Sequence, residues 1–261
     1  MIFNLPNNDP RKVIAIALSL CLVCAMVVST AAVYLRPLQE ANKTLDMKKN
    51  ILDVAGLMQP GIDINKAFAE RIEIRVVDFS TGRYTDAVDA ATFDQKAAAR
   101  DPAMSEAVAR EIDVASVNRR ANYASVYLLK DGDALKQLIL PVHGYGLWST
   151  MYGFVAVEPD LNTVAGIKFY QHGETPGLGG EIDNPAWQAK WLGKQLRDAN
   201  GNVELGVIKG TVITGNANEQ YQIDGLSGAT LTGNGVSNML QFWLGNNGFG
   251  PFLDQLAESG V

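Results

Sequence analysis

The segment whose residue types are best suited to chemistry lies just before the last predicted helix. There, residues 224–230 read Asp-Gly-Leu-Ser-Gly-Ala-Thr. Unpaired backbone N–H groups at a helix N-terminus, together with the positive end of the helix dipole, favour a phosphate. Gly228 and Ala229 allow the backbone to approach such a ligand closely. Ser227 and Thr230 add hydroxyl groups. The alternative is an ordinary helix cap, because serine and threonine before a helix usually satisfy its first N–H groups.

The composition limits the chemistry that the chain can perform. Its 261 residues are 47% apolar and carry a net charge of −6, without a cluster of lysine and arginine. A sizeable core can therefore form, whereas a nucleic-acid partner is not expected, because phosphate binding needs grouped cations. The cysteines are Cys21 and Cys24, and the histidines are His143 and His172. These numbers exclude a disulfide framework and a histidine-rich metal site in the body, so redox chemistry there requires a cofactor.

The N-terminal region predicts a membrane anchor. Residues 13–35 are apolar and uncharged, and at 1.5 Å per residue they span roughly 35 Å, enough for the hydrocarbon core of a bilayer. Arg11 and Lys12 precede this run, so residues 1–12 are expected to form a short cytoplasmic tail, with the body of the chain in the periplasm. A cleaved signal peptide is the alternative, since residues 29–32 are small, but the residues that follow them remain apolar.

The rest of the sequence predicts an α+β fold. A linking helix is expected over residues 36–60, followed by one periplasmic domain over residues 61–261. The predicted strands are 72–79, 123–129, 135–140, 152–157, 164–170 and 203–209. The predicted helices are 87–113, interrupted at Asp101-Pro102, then 185–197 and 232–244. Successive strands flanked by helices indicate an antiparallel sheet covered by helices.

Three segments of the chain carry a resemblance to a known family. Residues 224–230 resemble the acceptor motif of periplasmic flavin transferases, which move FMN from FAD onto the last threonine of the motif. The segment 144–153, Gly-Tyr-Gly-Leu-Trp-Ser-Thr-Met-Tyr-Gly, and the glycine-rich loop at 172–180, which begins His-Gly-Glu-Thr-Pro-Gly, precede this acceptor motif. With the single anchor, and in this order, they resemble the C-subunit family of the sodium-translocating NADH:quinone reductases over essentially the whole chain.

This resemblance implies an electron-transferring subunit of a multisubunit enzyme in the bacterial inner membrane, inactive by itself. FMN joined to Thr230 as a phosphoester would accept electrons from an iron–sulfur carrier and donate them to another flavin subunit. The implied partners are the other membrane, flavin and iron–sulfur subunits of the complex and an FAD-dependent FMN transferase. The chain has no nucleotide-binding fingerprint for NADH.

The resemblance also implies contacts with FMN beyond Thr230. The candidates near the phosphate are Ser227, Gly228 and Ala229, and the candidates near the ring system are Trp148, Ser149, Thr150, Thr175 and Leu178. Each has a structural alternative. The glycine-rich loop can approach a flat ring or simply turn, and Trp148 can stack on the ring or fill the core. The hydroxyls of Ser149 and Thr150 can bond to their own backbone instead.

Several other residues of reactive or aromatic type are interpreted as structural. Trp187 and Trp191 are four residues apart on a predicted helix and should form one core-facing stripe. His172 is expected to be a hydrogen-bonding turn residue and His143 to be structural, rather than to act as acid or base. Asp224 would repel a nearby phosphate, so we expect it to be recognised by the transferase or to cap its own turn.

Three interpretations compete with these predictions. Cys24 is expected to pack as a small apolar residue, and a part in a metal centre shared with neighbouring helices is the alternative. The G-subunit family of the Rnf complexes shares the anchor, the Glu-Thr-Pro-Gly loop and the Ser-Gly-Ala-Thr motif, although the Gly-Leu-Trp-Ser-Thr segment and the longer body favour the C-subunit family. Alternatively, the chain is a cofactor-free periplasmic scaffold in which the loops serve only as turns and caps.

Overall fold

The computed structural model describes residues 6–132 and 134–259. The chain divides into two compact units, the first ending at Asp46 and the second beginning at Met47. The helices are α1 (Pro10–Val54), α2 (Ile64–Arg71), α3 (Gln95–Arg100), α4 (Pro185–Gln188), α5 (Thr230–Leu244) and α6 (Gly250–Ser259). The strands are β1 (Ile72–Asp78), β2 (Arg83–Tyr84), β3 (Ser105–Ala107), β4 (Arg119–Ala121), β5 (Tyr123–Asp131), β6 (Ala134–Tyr145), β7 (Thr150–Val157), β8 (Val164–Gln171), β9 (Gly206–Val207) and β10 (Gln222–Ile223).

Helix α1 contains the apolar run that predicts a membrane anchor. Its most apolar window has a mean hydropathy of 2.6, and in the described residues α1 alone is long and apolar enough to cross a membrane. The hydroxyls of Ser19 and Thr30 each donate to the carbonyl four residues earlier at 2.7 Å, which satisfies them within the helix. The apolar helix that the sequence predicts is therefore present.

The helix continues without interruption past Pro37 and ends at Val54. Gly56 then takes a left-handed conformation with a φ of 70°. The N–H of Leu57 donates to the carbonyl of Leu52 at 2.9 Å, the bond that characterises a Schellman termination. One helix thus covers the predicted anchor at residues 13–35 and the predicted linking helix only as far as Val54.

A six-stranded sheet forms the centre of the second unit, with the strand order β2-β1-β5-β6-β7-β8 and every neighbouring pair antiparallel. Both faces are apolar. Val126 and Leu128 of β5 face one core cluster, which includes residues of α5 and α6, whereas Tyr127 and Leu129 face a second cluster, which includes α2 and the end of α1. The predicted antiparallel sheet covered by helices is confirmed.

The helix predicted over residues 87–113 is mostly wrong. Only Gln95–Arg100 is helical there, and Ser105–Ala107 is a strand that pairs with β4. The cause is the aspartates of this segment, whose carboxylates accept backbone N–H groups at turns and helix ends instead of lying within a helix. Asp94 caps α3, and Asp113 accepts the N–H of Val117 at 2.7 Å.

The C-terminal third also differs from the prediction. The helix expected over residues 185–197 is a single turn of α-helix followed by a short 3-10 turn, because Gly193 adopts a φ of 74°. Trp187 and Trp191 are nevertheless both buried, with ring centroids 5.3 Å apart, so the predicted core stripe is confirmed. The strand expected over residues 203–209 shortens to β9, which pairs in parallel with β10.

Candidate functional site

Helix α5 begins at Thr230 without a side-chain cap. Ala229 occupies the N-cap position and makes no side-chain bond to the first turn, so the interpretation of Ser227 or Thr230 as an ordinary cap is wrong. The first N–H groups of a helix have no acceptor within it and therefore remain available to an anion. Thr230, Ser227 and Gly228 are exposed, whereas Ala229 is buried. The exposed Thr230 thus stands at a helix end whose first N–H groups have no side-chain cap.

Asp224 fixes the start of the acceptor motif. One carboxylate oxygen accepts the N–H of Val212 at 2.7 Å, and the other lies 2.6 Å from the ammonium group of Lys190. Its backbone carbonyl accepts the indole N–H of Trp187 at 2.9 Å. The bond from Lys190, then that from Val212, lowers the pKa of the Asp224 carboxyl. The carboxylate bonds to other segments and not to its own turn, so the Asx-cap interpretation is wrong, and recognition by a transferase stays a prediction.

Two glycines allow the acceptor motif to pack closely. The N–H of Gly225 donates to the carbonyl of Gly210 at 2.7 Å, and a Cβ at position 225 would lie 2.4 Å from the carbonyl oxygen of Ile208. Gly228 has a φ of 70°, which favours glycine, and a Cβ there would meet a methyl group of Leu178 at 3.0 Å. Leu178 of the glycine-rich loop therefore lies directly against the acceptor motif.

A second loop, residues 146–149 between β6 and β7, is here called the tryptophan loop. Its turn is closed by the N–H of Gly146, which donates to the carbonyl of Ser149 at 2.8 Å. The hydroxyl oxygen of Ser149 accepts the N–H of Gly173 at 2.6 Å and so ties this loop to the glycine-rich loop. The side chain of Trp148 is 65% exposed, so the interpretation that it fills the core is wrong.

Glu174 joins these segments, although it is only 5% exposed. Its Oε1 accepts the N–H groups of Leu147 at 3.1 Å and Trp148 at 2.9 Å, with a longer contact to that of Ser149 at 3.4 Å. Its Oε2 accepts the hydroxyl of Thr232 at 2.6 Å. Desolvation raises the pKa of Glu174, but the bonds from Thr232 and from the backbone of the tryptophan loop outweigh it, so the net pKa is lowered. The carboxylate is therefore charged at neutral pH.

Exposed apolar side chains belong to the same segments. Tyr145, Leu147, Trp148, Leu178 and Leu231 are between 39% and 65% exposed. An isoalloxazine ring is flat and can pack its faces against aromatic and apolar side chains, so such side chains, next to a helix end without a side-chain cap, fit the two parts of FMN. Two further ring candidates are Thr150 and Thr175. Thr150 pairs with Tyr145 at the start of β7, and Thr175 is exposed in the turn that leads to Leu178. All ring contacts stay predictions.

The chain is similar to named proteins over nearly its whole length. Residues 146–245, which contain both loops and the acceptor motif, match the family model of an FMN-binding domain. The C subunit of the Na+-translocating NADH-quinone reductase from Vibrio vulnificus is 50% identical over 255 residues, 98% of each chain. Its counterpart from Pseudomonas aeruginosa is 50% identical over 255 residues, 97% of this chain and 98% of the relative. The chain belongs to the C-subunit family of this reductase.

Solved structures of the C-subunit family have the same fold. The crystal structure of Shewanella oneidensis NqrC has a TM-score of 0.77 at 36% identity and covers 84% of this chain and 99% of that one. The C subunit from Parabacteroides distasonis has a TM-score of 0.65 at 28% identity and covers 84% of this chain and 96% of that one. The predictions of an α+β fold, of an FMN-binding domain and of a subunit of a multisubunit oxidoreductase are thereby confirmed.

The two histidines make contacts within the fold. Nε2 of His172 lies 2.7 Å from a carboxylate oxygen of Asp183, and its Nδ1 accepts the N–H of Glu174 at 3.1 Å. With Nδ1 as an acceptor, Nε2 is the nitrogen that donates to Asp183. His143 packs against the ring of Trp243 in α5, with centroids 4.7 Å apart. Both observations agree with the expected structural roles.

Cys21 and Cys24 are exposed on α1. In the part of the chain that the structure describes, no group of three or more histidine, cysteine, aspartate or glutamate side chains could hold a metal ion. The expected apolar packing of Cys24 stays a prediction, with a metal centre shared with neighbouring helices as its alternative.

Sequence reasoning missed two residues of the site, Glu174 and Thr232. The available signals were weak: an acidic side chain within a glycine-rich loop, and a threonine at the start of the last predicted helix. Neither pattern indicates that the two side chains meet, since 58 residues separate them.

Proposed function

We propose that this chain carries FMN covalently, as a phosphoester on Thr230, and relays electrons from an iron–sulfur carrier to another flavin subunit of the same complex. Membership of the C-subunit family and the FMN-binding domain support the cofactor. The observation that carries the attachment site is the first turn of α5, where the exposed hydroxyl of Thr230 stands at a helix end without a side-chain cap. The acceptor motif supports the same residue.

Each part of the site has a role in this proposal. The N–H groups of the first turn of α5 would bind phosphate oxygens, and Gly228 leaves the approach to Thr230 open. Leu178 and Trp148 would contact the ring, while Ser149 holds the two loops together. FMN, when bound, supplies electron chemistry that the side chains of this chain lack. The residues themselves would hold the phosphate, orient the ring and leave it accessible to a neighbouring flavin or iron–sulfur protein.

The attachment reaction is a group transfer from FAD. The hydroxyl oxygen of Thr230 would bond to the FMN phosphorus, the bond from that phosphorus to AMP would break, and the hydroxyl proton would be released. An FAD-dependent transferase is the implied partner for this step. The resulting tether keeps FMN at a high effective concentration without a tight pocket, which suits an exposed site.

The proposed topology follows from α1 and the charges around it. Residues 13–35 would cross the bacterial inner membrane once, with residues 1–12 in the cytoplasm. Residues 36–60 would lead away from the membrane, and residues 61–261 would form the periplasmic FMN-binding domain. Covalent attachment is useful in the periplasm, because FMN that is not made there would otherwise be lost by dilution.

The test is the intact mass of the full chain, purified from its native membrane, together with ultraviolet fluorescence on a denaturing gel. We expect a fluorescent band, a mass increase of one FMN less water, and an adduct on the Thr230 peptide. Thr230→Ala should abolish the adduct, whereas Thr230→Ser keeps a hydroxyl and should retain part of it. Thr214→Ala, which changes an exposed threonine outside the motif, is the matched control and should be fully modified. Covalent flavin on the Thr230→Ala chain would refute the assignment.

A further inference from the structure

Glu174 lies where three segments around Thr230 meet: the glycine-rich loop, the tryptophan loop and the first turn of α5. We propose that Glu174 is a positioning residue for the flavin, because its carboxylate fastens the tryptophan loop to the turn of α5 that begins with Thr230. This inference rests on the proposed attachment of FMN to Thr230. It assigns a function to a buried acid that makes no direct contribution to the attachment reaction.

The first half of the connection is made by Oε1. The N–H groups of Leu147 and Trp148 converge on this one oxygen at 3.1 and 2.9 Å. Hydrogen bonds to a carboxylate are roughly twice as strong as those between neutral groups. The backbone of the tryptophan loop is therefore held by a buried charge, and the position of the exposed Trp148 ring depends on it.

The second half of the connection is made by Oε2. It accepts the hydroxyl of Thr232 at 2.6 Å, and Thr232 is only 1% exposed. Thr232 lies two residues after Thr230 in the first turn of α5. A fixed Thr232 consequently constrains the backbone position of Thr230 in the same helical turn. The same carboxylate thus sets the distance between the proposed phosphate site and the proposed ring site.

Two glycines make room for this carboxylate. A Cβ at Gly146 would lie 2.6 Å from Oε1 of Glu174. A Cβ at Gly179 would lie 2.8 Å from Oε2 and 2.5 Å from the hydroxyl oxygen of Thr232. Real side chains do not fit at such distances, so the buried carboxylate and the two glycines require one another.

The backbone of Glu174 is held as well. His172 accepts its N–H through Nδ1, and the other ring nitrogen of His172 donates to Asp183. A buried carboxylate costs free energy unless its oxygens are bonded, and here both oxygens are. The charge is therefore maintained by contacts on both sides of the site, and its removal should loosen the tryptophan loop without exposing the core.

The experiment compares the full chain with Glu174→Gln, which keeps the size of the side chain and removes its charge. Thr232→Val is the second variant, because it keeps the volume and removes the donor to Oε2. The matched control is Asp160→Asn. The Asp160 carboxylate also accepts two backbone N–H groups and a threonine hydroxyl, but in the turn between β7 and β8, at the other end of β7 from the site.

Four quantities are measured on each purified chain: the mass of the covalent adduct, hydrogen exchange at residues 147–149, the visible circular dichroism of the flavin and its midpoint potential. For Glu174→Gln we expect exchange at residues 147–149 to accelerate at least about fivefold, since neutral bonds replace charge-assisted ones. The visible circular dichroism and the midpoint potential of the flavin should shift in both Glu174→Gln and Thr232→Val. They should match the unsubstituted chain in Asp160→Asn.

The outcomes separate this inference from the proposed function. An unsubstituted chain without FMN on Thr230 refutes the proposed function itself. If the chain carries FMN on Thr230, but Glu174→Gln leaves the visible circular dichroism and the midpoint potential of the flavin unchanged, only the positioning role is refuted. This holds even if hydrogen exchange at residues 147–149 accelerates. In that case Glu174 would stabilise the loop and have no influence on the flavin.

Discussion

His143 lies on β6 beside α5 and should make the stability of this domain depend on pH. Its ring lies 5.4 Å from that of Tyr152 and 4.7 Å from that of Trp243. Burial, and then the positive charge of Lys96, lower the pKa of His143 to about 4, although Asp113 opposes the shift. The imidazole is therefore neutral in the folded protein under all but acidic conditions.

The sign and size of the effect follow from the two pKa values of His143. In the unfolded chain the pKa is the ordinary 6.5, so between about pH 6.5 and pH 4 the unfolded state binds more protons than the folded state. The free energy of unfolding must then decrease as the pH falls through this window. At about 1.4 kcal/mol per pKa unit, lowering the pH from about 7.5 to about 5 should remove about 2 kcal/mol.

The assay is urea unfolding of the detergent-solubilised full chain at both pH values, followed by tryptophan fluorescence. His143→Phe is compared with the unsubstituted chain, because phenylalanine keeps an aromatic ring between Tyr152 and Trp243 but cannot bind a proton. Carboxylates titrate equally in both chains, so the difference between the two pH dependences isolates His143. A difference below about 0.5 kcal/mol would show that His143 is not held neutral by its surroundings, contrary to the prediction.

Two further substitutions test the geometry around Thr230. Gly225→Ala would place a Cβ 2.4 Å from the Ile208 carbonyl oxygen, so we expect a loss of about 1–3 kcal/mol in unfolding free energy and less covalent FMN per chain by in-gel fluorescence. The control is Gly206→Ala, whose Cβ would lie 3.2 Å from the hydroxyl oxygen of Ser237. Equal flavin content in the two variants would contradict the predicted effect of the clash at Gly225. Trp148→Ala should change the unfolding free energy by less than about 0.5 kcal/mol, because the side chain is 65% exposed, yet alter the visible circular dichroism of bound FMN. An unaltered spectrum would remove Trp148 from the ring contacts.

The parts of the fold that could be predicted from the sequence depend on local pairing. Strands β5 to β8 follow one another in the chain, and each pairs with the next, so the alternation of apolar residues and the turns between them define most of the sheet. Helix α5 could likewise be predicted, because its apolar face is continuous over many residues. The two-residue strand β10 was missed and β9 was predicted too long, because such short elements carry little periodicity. Helix α6 was also missed.

The contacts around Thr230 could not be predicted in the same way, because they join distant parts of the chain. The carboxylate of Glu174 receives its donors from 26 residues earlier and 58 residues later. Asp224 is bonded to Lys190, which lies 34 residues earlier. A sequence pattern can indicate a loop or a helix start, but it does not show which side chains meet there.

The acceptor motif is therefore held from both ends by residues outside it. At its start, Asp224 is fixed by Lys190 and Val212. Beyond its end, Thr232 is fixed by Glu174. The seven residues of the motif supply the hydroxyl of Thr230 and the small side chains around it, whereas the two carboxylates hold the backbone on either side of Thr230. Substitutions at Asp224 and Glu174 should consequently affect the flavin differently. Removing the Asp224 carboxylate should disturb the loop that leads to Thr230, whereas removing the Glu174 carboxylate should change the position of Trp148 relative to Thr230.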